Sequence, residues 1–257
     1  MFNLENFDIK LDTNFIGRHF IYADELTSTN ALLIDGSNNF NMNGSVALAE
    51  KQTEGRGRRN RIWYSSKDLN LTFSVLLLKK KLFKTRYPLI NLSASLAVAF
   101  ALENLYQLKP EMKWPNDILL NGKKAAGILL EAKSKGNKIV RAVVGIGLNV
   151  NQVQFEGDYL LPPTSVKLET GQTIERETLL AEILNQFEKL LIKLTFYPEW
   201  ILKEWKNRCK MIGEKITIKE GEEIKTGIFE DIDKDGYLLL KNGSKIEKIH
   251  YGDAGFA

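Results

Sequence analysis

Residues Glu111–Val150 read EMKWPNDILLNGKKAAGILLEAKSKGNKIVRAVVGIGLNV, and this stretch decides the fold. Three strand-like runs, EMKW, ILLNGKKAAGILLEA and KIVRAVVGIGLNV, are divided by turn chemistry and show no helical period. Asn121-Gly122 supplies the positive backbone angles of a tight hairpin inside the second run. A further turn at Lys135 to Asn137 joins that run to the third. The stretch predicts a hairpin-rich sheet.

Moving toward the N-terminus, Pro88 opens LINLSASLAVAFALENLY, where Leu89, Leu92, Leu96, Ala99 and Phe100 follow helical spacing and predict a buried helix. Ser45–Gln52 (SVALAEKQ) and Asn70–Leu78 (NLTFSVLLL) read as strands on either side of a loop, EGRGRRNRIW, Glu54 to Trp63. Ahead of them, DELTSTNALLIDG offers hydroxyl caps at Thr27 to Thr29 for a short helix that carries Leu32 and Leu33 and stops at Gly36. Toward the C-terminus, ERETLLAEILNQFEKLLIKL places Leu180, Ile183, Leu184, Phe187, Leu191 and Leu194 on one face, with Glu175 and Glu177 at the positive end of the helix. That helix is expected to pack on the sheet. A helical patch at Trp200 to Arg208 follows, and then the composition changes. ITIKEGEEIKTGIFEDIDKDGYLLLKNGSKIEKI alternates short β runs with turns at Asp235-Gly236 and Asn242-Gly243, the pattern of a small β-barrel-like domain of about 45 residues. The class is α+β, a mixed sheet flanked by helices, with a first domain at 1–208 and a second at 209–257. No repeat or long Pro/Gly linker separates them, so they are expected to pack closely.

Bulk composition excludes several classes. The chain has 257 residues, 44% of them hydrophobic and 26% charged, which suits a folded core and not a disordered segment. The net charge of +4 comes from 36 basic against 32 acidic residues, so a strong positive field can arise only by local clustering. Cys209 stands alone, ruling out an intramolecular disulfide, and His19 and His250 lie at opposite ends of the chain, leaving little for a histidine metal site or triad. Chemistry must rest on Arg, Lys, Asp, Asn and backbone groups, which points to anionic substrates. MFNLENFDIK lacks the charge and apolar run of a signal peptide, and no segment reads as about 20 membrane-spanning residues, so a cytoplasmic protein with no membrane partner is expected. The lysines at 79–81 and 133–138 are read as solvated turns that blunt sheet edges.

The arginine loop has three readings on its own letters: a nucleic-acid patch, a phosphate cradle or a solvated loop. KWPND, Lys113 to Asp117, is harder to explain as structure alone, because Pro115 fixes a turn after Trp114 and delivers Lys113 and Asp117 to the same end of the sheet. TSTN (Thr27 to Asn30) and GIGLNVN (Gly145 to Asn151) complete four notable segments. Ser28 caps a helix, faces a pocket, or does both; Asn149 equally could close a turn.

In this order the four segments resemble the biotin protein ligases, and the small C-terminal β domain fits that family too. The resemblance implies a catalytic domain like that of class II aminoacyl-tRNA synthetases with an SH3-like C-terminal barrel. It implies two steps: biotin and MgATP give biotinyl-5′-adenylate and pyrophosphate, and a lysine of a biotin carboxyl carrier protein then takes the biotinyl group, releasing AMP. The reaction brings a carboxylate against a phosphate, two anions that repel unless cations neutralise them. By resemblance, Arg56, Gly57 and Arg58 contact biotin or its acyl phosphate, while Arg61 and Trp63 serve the nucleotide. Gly55 and Gly57 leave the loop mobile, as suits a lid that protects a hydrolysable anhydride. Lys113 neutralises the reacting groups, Lys124 with Gly127 reaches biotin or the α-phosphate, Asn116 and Asn149 serve ATP, and Asp117 serves Mg²⁺. Ser28, Thr29, Asn30 and Gln52, all uncharged, suit the ureido ring of biotin. The family loop carries glycine where this chain has Asn60, a residue that tolerates left-handed backbone.

Two alternatives stand beside this reading. A lipoate ligase shares the adenylate logic, but its arginine pair followed by three glycines is absent. A nucleic-acid-binding repressor would need a helix-turn-helix domain ahead of motifs that begin near Thr27, so a ligase without nucleic-acid binding is expected. The resemblance also admits a homodimer. The C-terminal domain is read either as an acceptor-docking and ATP-site support or as a packing partner for the core.

Overall fold

A computed structural model describes residues 2–36, 40–78 and 80–257. Its chain order begins with α1 (Leu4–Lys10), β1 (Phe20–Leu26), α2 (Thr29–Asp35), β2 (Val46–Gln52), β3 (Leu71–Leu77) and α3 (Lys80–Tyr106). β4 (Glu111–Lys113), β5 (Asp117–Leu120), β6 (Lys123–Lys135) and β7 (Lys138–Leu148) follow, then α4 (Val166–Thr170), α5 (Arg176–Phe196) and α6 (Pro198–Lys206). The C-terminal strands are β8 (Lys215–Glu220), β9 (Glu223–Ile232), β10 (Leu238–Asn242), β11 (Lys245–Ile249) and β12 (Asp253–Phe256).

The seven strands of the first sheet run β1-β2-β3-β7-β6-β5-β4. β1 pairs with β2 in parallel and the remaining neighbours are antiparallel, so the sheet is mixed. The Asn-Gly hairpin forms as its letters require, with Asn121 at φ 50° and Gly122 at φ 75° between β5 and β6. α3 and α5 cover one face: Leu180, Ile183, Leu184, Phe187 and Leu194 of α5 are buried in the same cluster as Leu89, Leu96 and Ala99 of α3. On the opposite face α2 contributes Leu33 to a smaller cluster with Ala47, Leu76 and Val143. α2 is short but well bounded, because Ser28 caps its start and Gly36 adopts φ 74° at its end. The face it leaves uncovered, beside its N-terminus, becomes the floor of a cleft.

Two sequence expectations need correction. α3 begins at Lys80 and contains Pro88, although Pro88 was expected to open it. Leu82 and Phe83 are buried in the main core and carry the helix back beyond the proline, their burial offsetting the lost backbone hydrogen bond and the crowding of the ring against the preceding turn. The same helix, over Tyr87–Tyr106, is long and apolar enough to cross a membrane, contrary to the sequence reading. It is instead the core helix between sheet and α5, with Leu89, Ile90 and Ala94 fully buried. The lysine run at 79–81 lies outside the described residues, apart from the helical backbone at 80 and 81, while 133–138 are exposed as expected but belong mostly to the ends of β6 and β7, with the turn itself at 136–137.

α1, β1, α4 and β12 had no counterpart in the sequence reading. α1 is capped by the Asn3 side chain, which accepts from the Asn6 amide at 3.0 Å. The C-terminal sheet runs β11-β10-β9-β8-β12, all antiparallel, with a register shift at Leu239/Leu240 that bends it. It packs on the first domain directly. The Trp114 indole donates to the Gly236 carbonyl at 3.2 Å, and a side chain at Gly236 would meet Leu89 and Leu92 of α3 at 3.0 and 3.1 Å.

Candidate functional site

The loop between β2 and β3 folds back as a small hairpin of its own. Gly57 N donates to Arg61 O at 2.7 Å and Trp63 N to Gly55 O at 2.9 Å, closing a one-turn 3-10 helix at Arg58–Asn60. Its left-handed residue is Arg59, at φ 55°, so the strained position expected at Asn60 falls one residue earlier, and the Asn60 side chain lies outside the described residues. Gly55 is needed for close approach, since a Cβ there would lie 2.6 Å from the Trp63 carbonyl oxygen, whereas Gly57 has room.

This hairpin roofs a cleft of about 720 Å³ lined by every residue expected to contact biotin, ATP or magnesium, from Ser28 and Gln52 at one end to Lys113 and Asp117 at the other. β7 makes the floor. A Cβ at Gly145 would come within 2.3 Å of Asn30 Oδ1, and one at Gly147 within 2.3 Å of the Trp63 ring, so the two glycines let Asn30 and Trp63 lie directly on the strand. Gly127 of β6 receives the same indole from the side, its Cβ position being 3.3 Å from Trp63 Cζ3.

One end of the cleft holds a chain of uncharged hydrogen-bonding groups. The Thr29 amide and hydroxyl donate to Gln52 Oε1 at 2.7 and 3.0 Å. The Ser74 hydroxyl donates to Asn30 Oδ1 at 2.5 Å and lies 2.6 Å from Thr29 Oγ1, while Asn30 Nδ2 donates to Glu131 at 2.6 Å. Ser28 Oγ accepts from the Ala31 amide and also lines the cleft, so capping and pocket lining coexist. Ser74 and Glu131 were missed from sequence. A serine inside an otherwise apolar strand such as LTFSVLL was the available signal, because a fully buried hydroxyl must find a partner.

The other end is charged. The β4–β5 register sets Lys113 opposite Asp117, with Lys113 Nζ 3.7 Å and Lys124 Nζ 2.7 Å from the Asp117 carboxylate. The Lys124 contact is close in distance but lacks hydrogen-bond angles, so Asp117 Oδ1 is buried without a directed donor, and the Trp63 Nε1–H is buried without an acceptor. Burial pushes the Lys113 pKa down from the ordinary lysine value, with Asp117 opposing and Lys124 reinforcing the shift. Lys124 Nζ also sits 5.6 Å from the Trp63 ring centroid. The Asn116 amide donates to Ile128 O at 2.8 Å and that of Asn149 to Thr164 O at 3.0 Å, so both side-chain N–H groups bind backbone here.

The arginines close the charged end from above, and their partner comes from the C-terminal domain. Arg58 and Arg59 lie 3.3 and 3.4 Å from the Asp253 carboxylate, Arg61 also pairs with it, and Arg58 and Arg59 donate to the carbonyls of Gly252 and Lys219 at 3.1 and 2.7 Å. Burial lowers the Arg58 pKa, an effect that Asp253 counters. Arg56 points away, to Glu54 at 3.1 Å. Nothing local in the sequence marks Asp253, which is brought in by tertiary packing. Among the described residues no group of three His, Cys, Asp or Glu side chains could hold a metal. The arrangement can seat an elongated molecule with an amide-like head and an anionic tail, and can crowd cations around that tail.

Comparisons with known proteins agree with this geometry. Residues 22–149 match the biotin/lipoate A/B protein ligase family and residues 211–256 match the biotin protein ligase C terminal domain. The bifunctional ligase/repressor BirA of Bacillus subtilis (strain 168) is 34% identical over 248 residues, spanning 95% of this chain and 75% of that protein. The biotin–[acetyl-CoA-carboxylase] ligase of Paracoccus denitrificans is 35% identical over 209 residues, spanning 78% of this chain and 85% of that one. The solved biotin protein ligase from Aquifex aeolicus in complex with biotin and ATP superposes with a TM-score of 0.80 at 29% identity, covering 93% of this chain and 98% of that one.

Proposed function

Since the chain belongs to the biotin/lipoate A/B protein ligase family, we propose that its cleft performs the two half-reactions of biotin ligation with the residue roles that follow. The observation that carries the assignment of roles is the polarity of one cleft: uncharged donors and acceptors at Ser28, Thr29, Asn30 and Gln52, with the buried Ser74 holding Thr29 and Asn30 from behind, and cations at Lys113, Lys124 and Arg58. A ureido ring offers two N–H donors and one C=O acceptor without net charge, and the first end matches that set. The valeryl carboxylate then extends toward the lysines.

In the first step a carboxylate oxygen of biotin attacks the α-phosphorus of ATP, and the bond from that phosphorus to the pyrophosphate oxygen breaks. Lys113, Lys124 and Arg58 offset the repulsion between the two anions and the charge that gathers on the phosphoryl oxygens. The Asp117 carboxylate, 3.7 Å from Lys113 Nζ, partly opposes the lowering of its pKa by burial. Trp63 supplies a flat apolar wall, and Arg61 and Asn149 act on the nucleotide side. In the second step the neutral amine of a carrier lysine attacks the biotinyl carbonyl, loses a proton and expels AMP. The roof formed by Gly55–Trp63 keeps water from the mixed anhydride in between. Magnesium fits as an ion held mainly by phosphate, since Asp117 Oδ1 is a buried oxygen with no directed donor; when bound it would shield phosphate charge.

The acceptor in this reading is a biotin carboxyl carrier domain and the compartment is the cytoplasm. The domain boundary is placed at 208/209. The test is transfer of biotin against lipoate, each with ATP, onto a purified carrier domain, read by intact-protein mass. Biotin transfer alone is expected. Lipoate transfer, or neither, would overturn the reading.

A further inference from the structure

The pairing of β2 with β3 ends early. Val46, Ala47 and Leu48 face Val75, Ser74 and Phe73, and beyond them no β2–β3 pair is present among the described residues. β2 continues to Gln52 on the support of β1 alone, so the two stems of the arginine hairpin part company before the hairpin begins. One side chain spans the gap. Arg176, at the start of α5, donates to both oxygens of Glu50 on the incoming stem, at 2.5 and 3.0 Å, and to the carbonyl of Asn70 on the outgoing stem at 3.0 Å. All three residues are buried, at 6%, 2% and 3% exposure.

Both ends of this bridge are held in turn. The Tyr22 hydroxyl of β1 donates to Glu50 at 2.9 Å, and the guanidinium lies 5.8 Å from the Phe2 ring centroid. Asn70 accepts from the Val150 amide at 2.9 Å and donates to Gln152 at 2.5 Å, and Gln152 also accepts from the Ser66 amide at 3.3 Å. A buried ion pair is weak evidence for stability, since apolar residues of the same volume often do as well, but its fixed fork geometry makes it a strong determinant of position. We infer that Arg176 is a positioning residue that sets both stems of the arginine hairpin, and through them Arg58, Arg61 and Trp63 over the cleft.

The inference rests on the adenylate chemistry proposed above, and the experiment separates the two. Enzyme-bound adenylate is formed from biotin and labelled ATP, isolated by gel filtration and followed for loss over time, alongside the thermal midpoint. Failure of the wild-type chain to form adenylate overturns the reaction and leaves the bridge without a purpose. Arg176→Lys keeps a charge beside Glu50 but has one ammonium where the fork held two stems. It is expected to fold with a near-native midpoint and to lose adenylate about tenfold faster, as small misplacements of a closing element do. The pair variant Glu50→Gln with Arg176→Met removes the charge pair as a unit; folding with the same fast loss supports positioning. Native retention in a folded variant of either kind refutes the inference, and failure of both to fold assigns the bridge to stability alone.

Discussion

Gly147→Ala adds one methyl to the floor of the cleft. Its Cβ would lie 2.3 Å from Trp63 Cε2 and 2.6 Å from Cζ2 and Nε1, where carbon atoms in contact stay about 3.5–4.0 Å apart. The indole lies flat on the strand floor, so the added methyl lifts it by about 1 Å. Trp63 is tied to the hairpin roof by its own amide, which donates to Gly55 O, and the roof must lift with it. Displacement of this size in a group that positions substrate costs on the order of 100-fold in rate, or about 2.7 kcal/mol of transition-state stabilisation. The fold should lose little, since alanine takes the strand's φ/ψ and restricts the unfolded chain, a gain of about 0.4–1 kcal/mol against the local strain. Pyrophosphate release with saturating biotin measures the first half-reaction, and a thermal scan measures the fold. Adenylation within about threefold of wild type, with an unchanged thermal midpoint, would show that the indole has no part in the nucleotide site and refute the argument.

Other outcomes follow from the same geometry. Lys113→Ala should suppress pyrophosphate release, and Arg58→Ala should speed loss of the adenylate once formed; wild-type values in both assays would remove the cationic cluster from the chemistry. Glu188 accepts from the amides of Asn14, Phe15 and Ile16, and although burial alone would raise its pKa, these donors hold it below the usual carboxylate value of 4.5. A depressed carboxylate contributes stability above its unfolded pKa and loses it as pH falls through the folded one. Glu188→Gln should therefore flatten the thermal midpoint's fall below about pH 4.5, and an unchanged acid limb would count against the assignment. Burial pushes the Cys209 thiol up to about 11, so native protein at pH 8 should resist alkylation while denatured protein reacts; rapid labelling of the folded chain would contradict this.

Much of this site was legible because its chemistry is local. Asn121-Gly122 announces a hairpin by demanding positive φ at two successive positions, and Ser28 and Gly36 announce both ends of α2. The two charges of KWPND, Lys113 and Asp117, could be placed together because a proline turn leaves few other arrangements. Features decided by long-range packing were not legible. β1 joins the sheet in parallel, with no turn to mark its pairing, and Pro88 suggested a helix start that Leu82 and Phe83 override. The glycines of GIGLNV have no reason visible in their own letters; Asn30 and Trp63 lie on them. Asp253 and Arg176 are single charged residues in unremarkable surroundings, and only the fold brings them to the arginine hairpin.

The hairpin is fastened twice, to different bodies. Its stems belong to the catalytic sheet, while its arginine side chains bind Asp253 and the carbonyls of Gly252 and Lys219 in the C-terminal domain. It is therefore a strap across the domain interface as well as a roof. To raise it is to undo bonds to the second domain, and to draw the second domain away is to pull on the roof. Access to the cleft and the seating of the C-terminal domain thus form one mechanical coordinate. A substitution in β12 that never touches substrate would be felt as a change in how readily substrate enters.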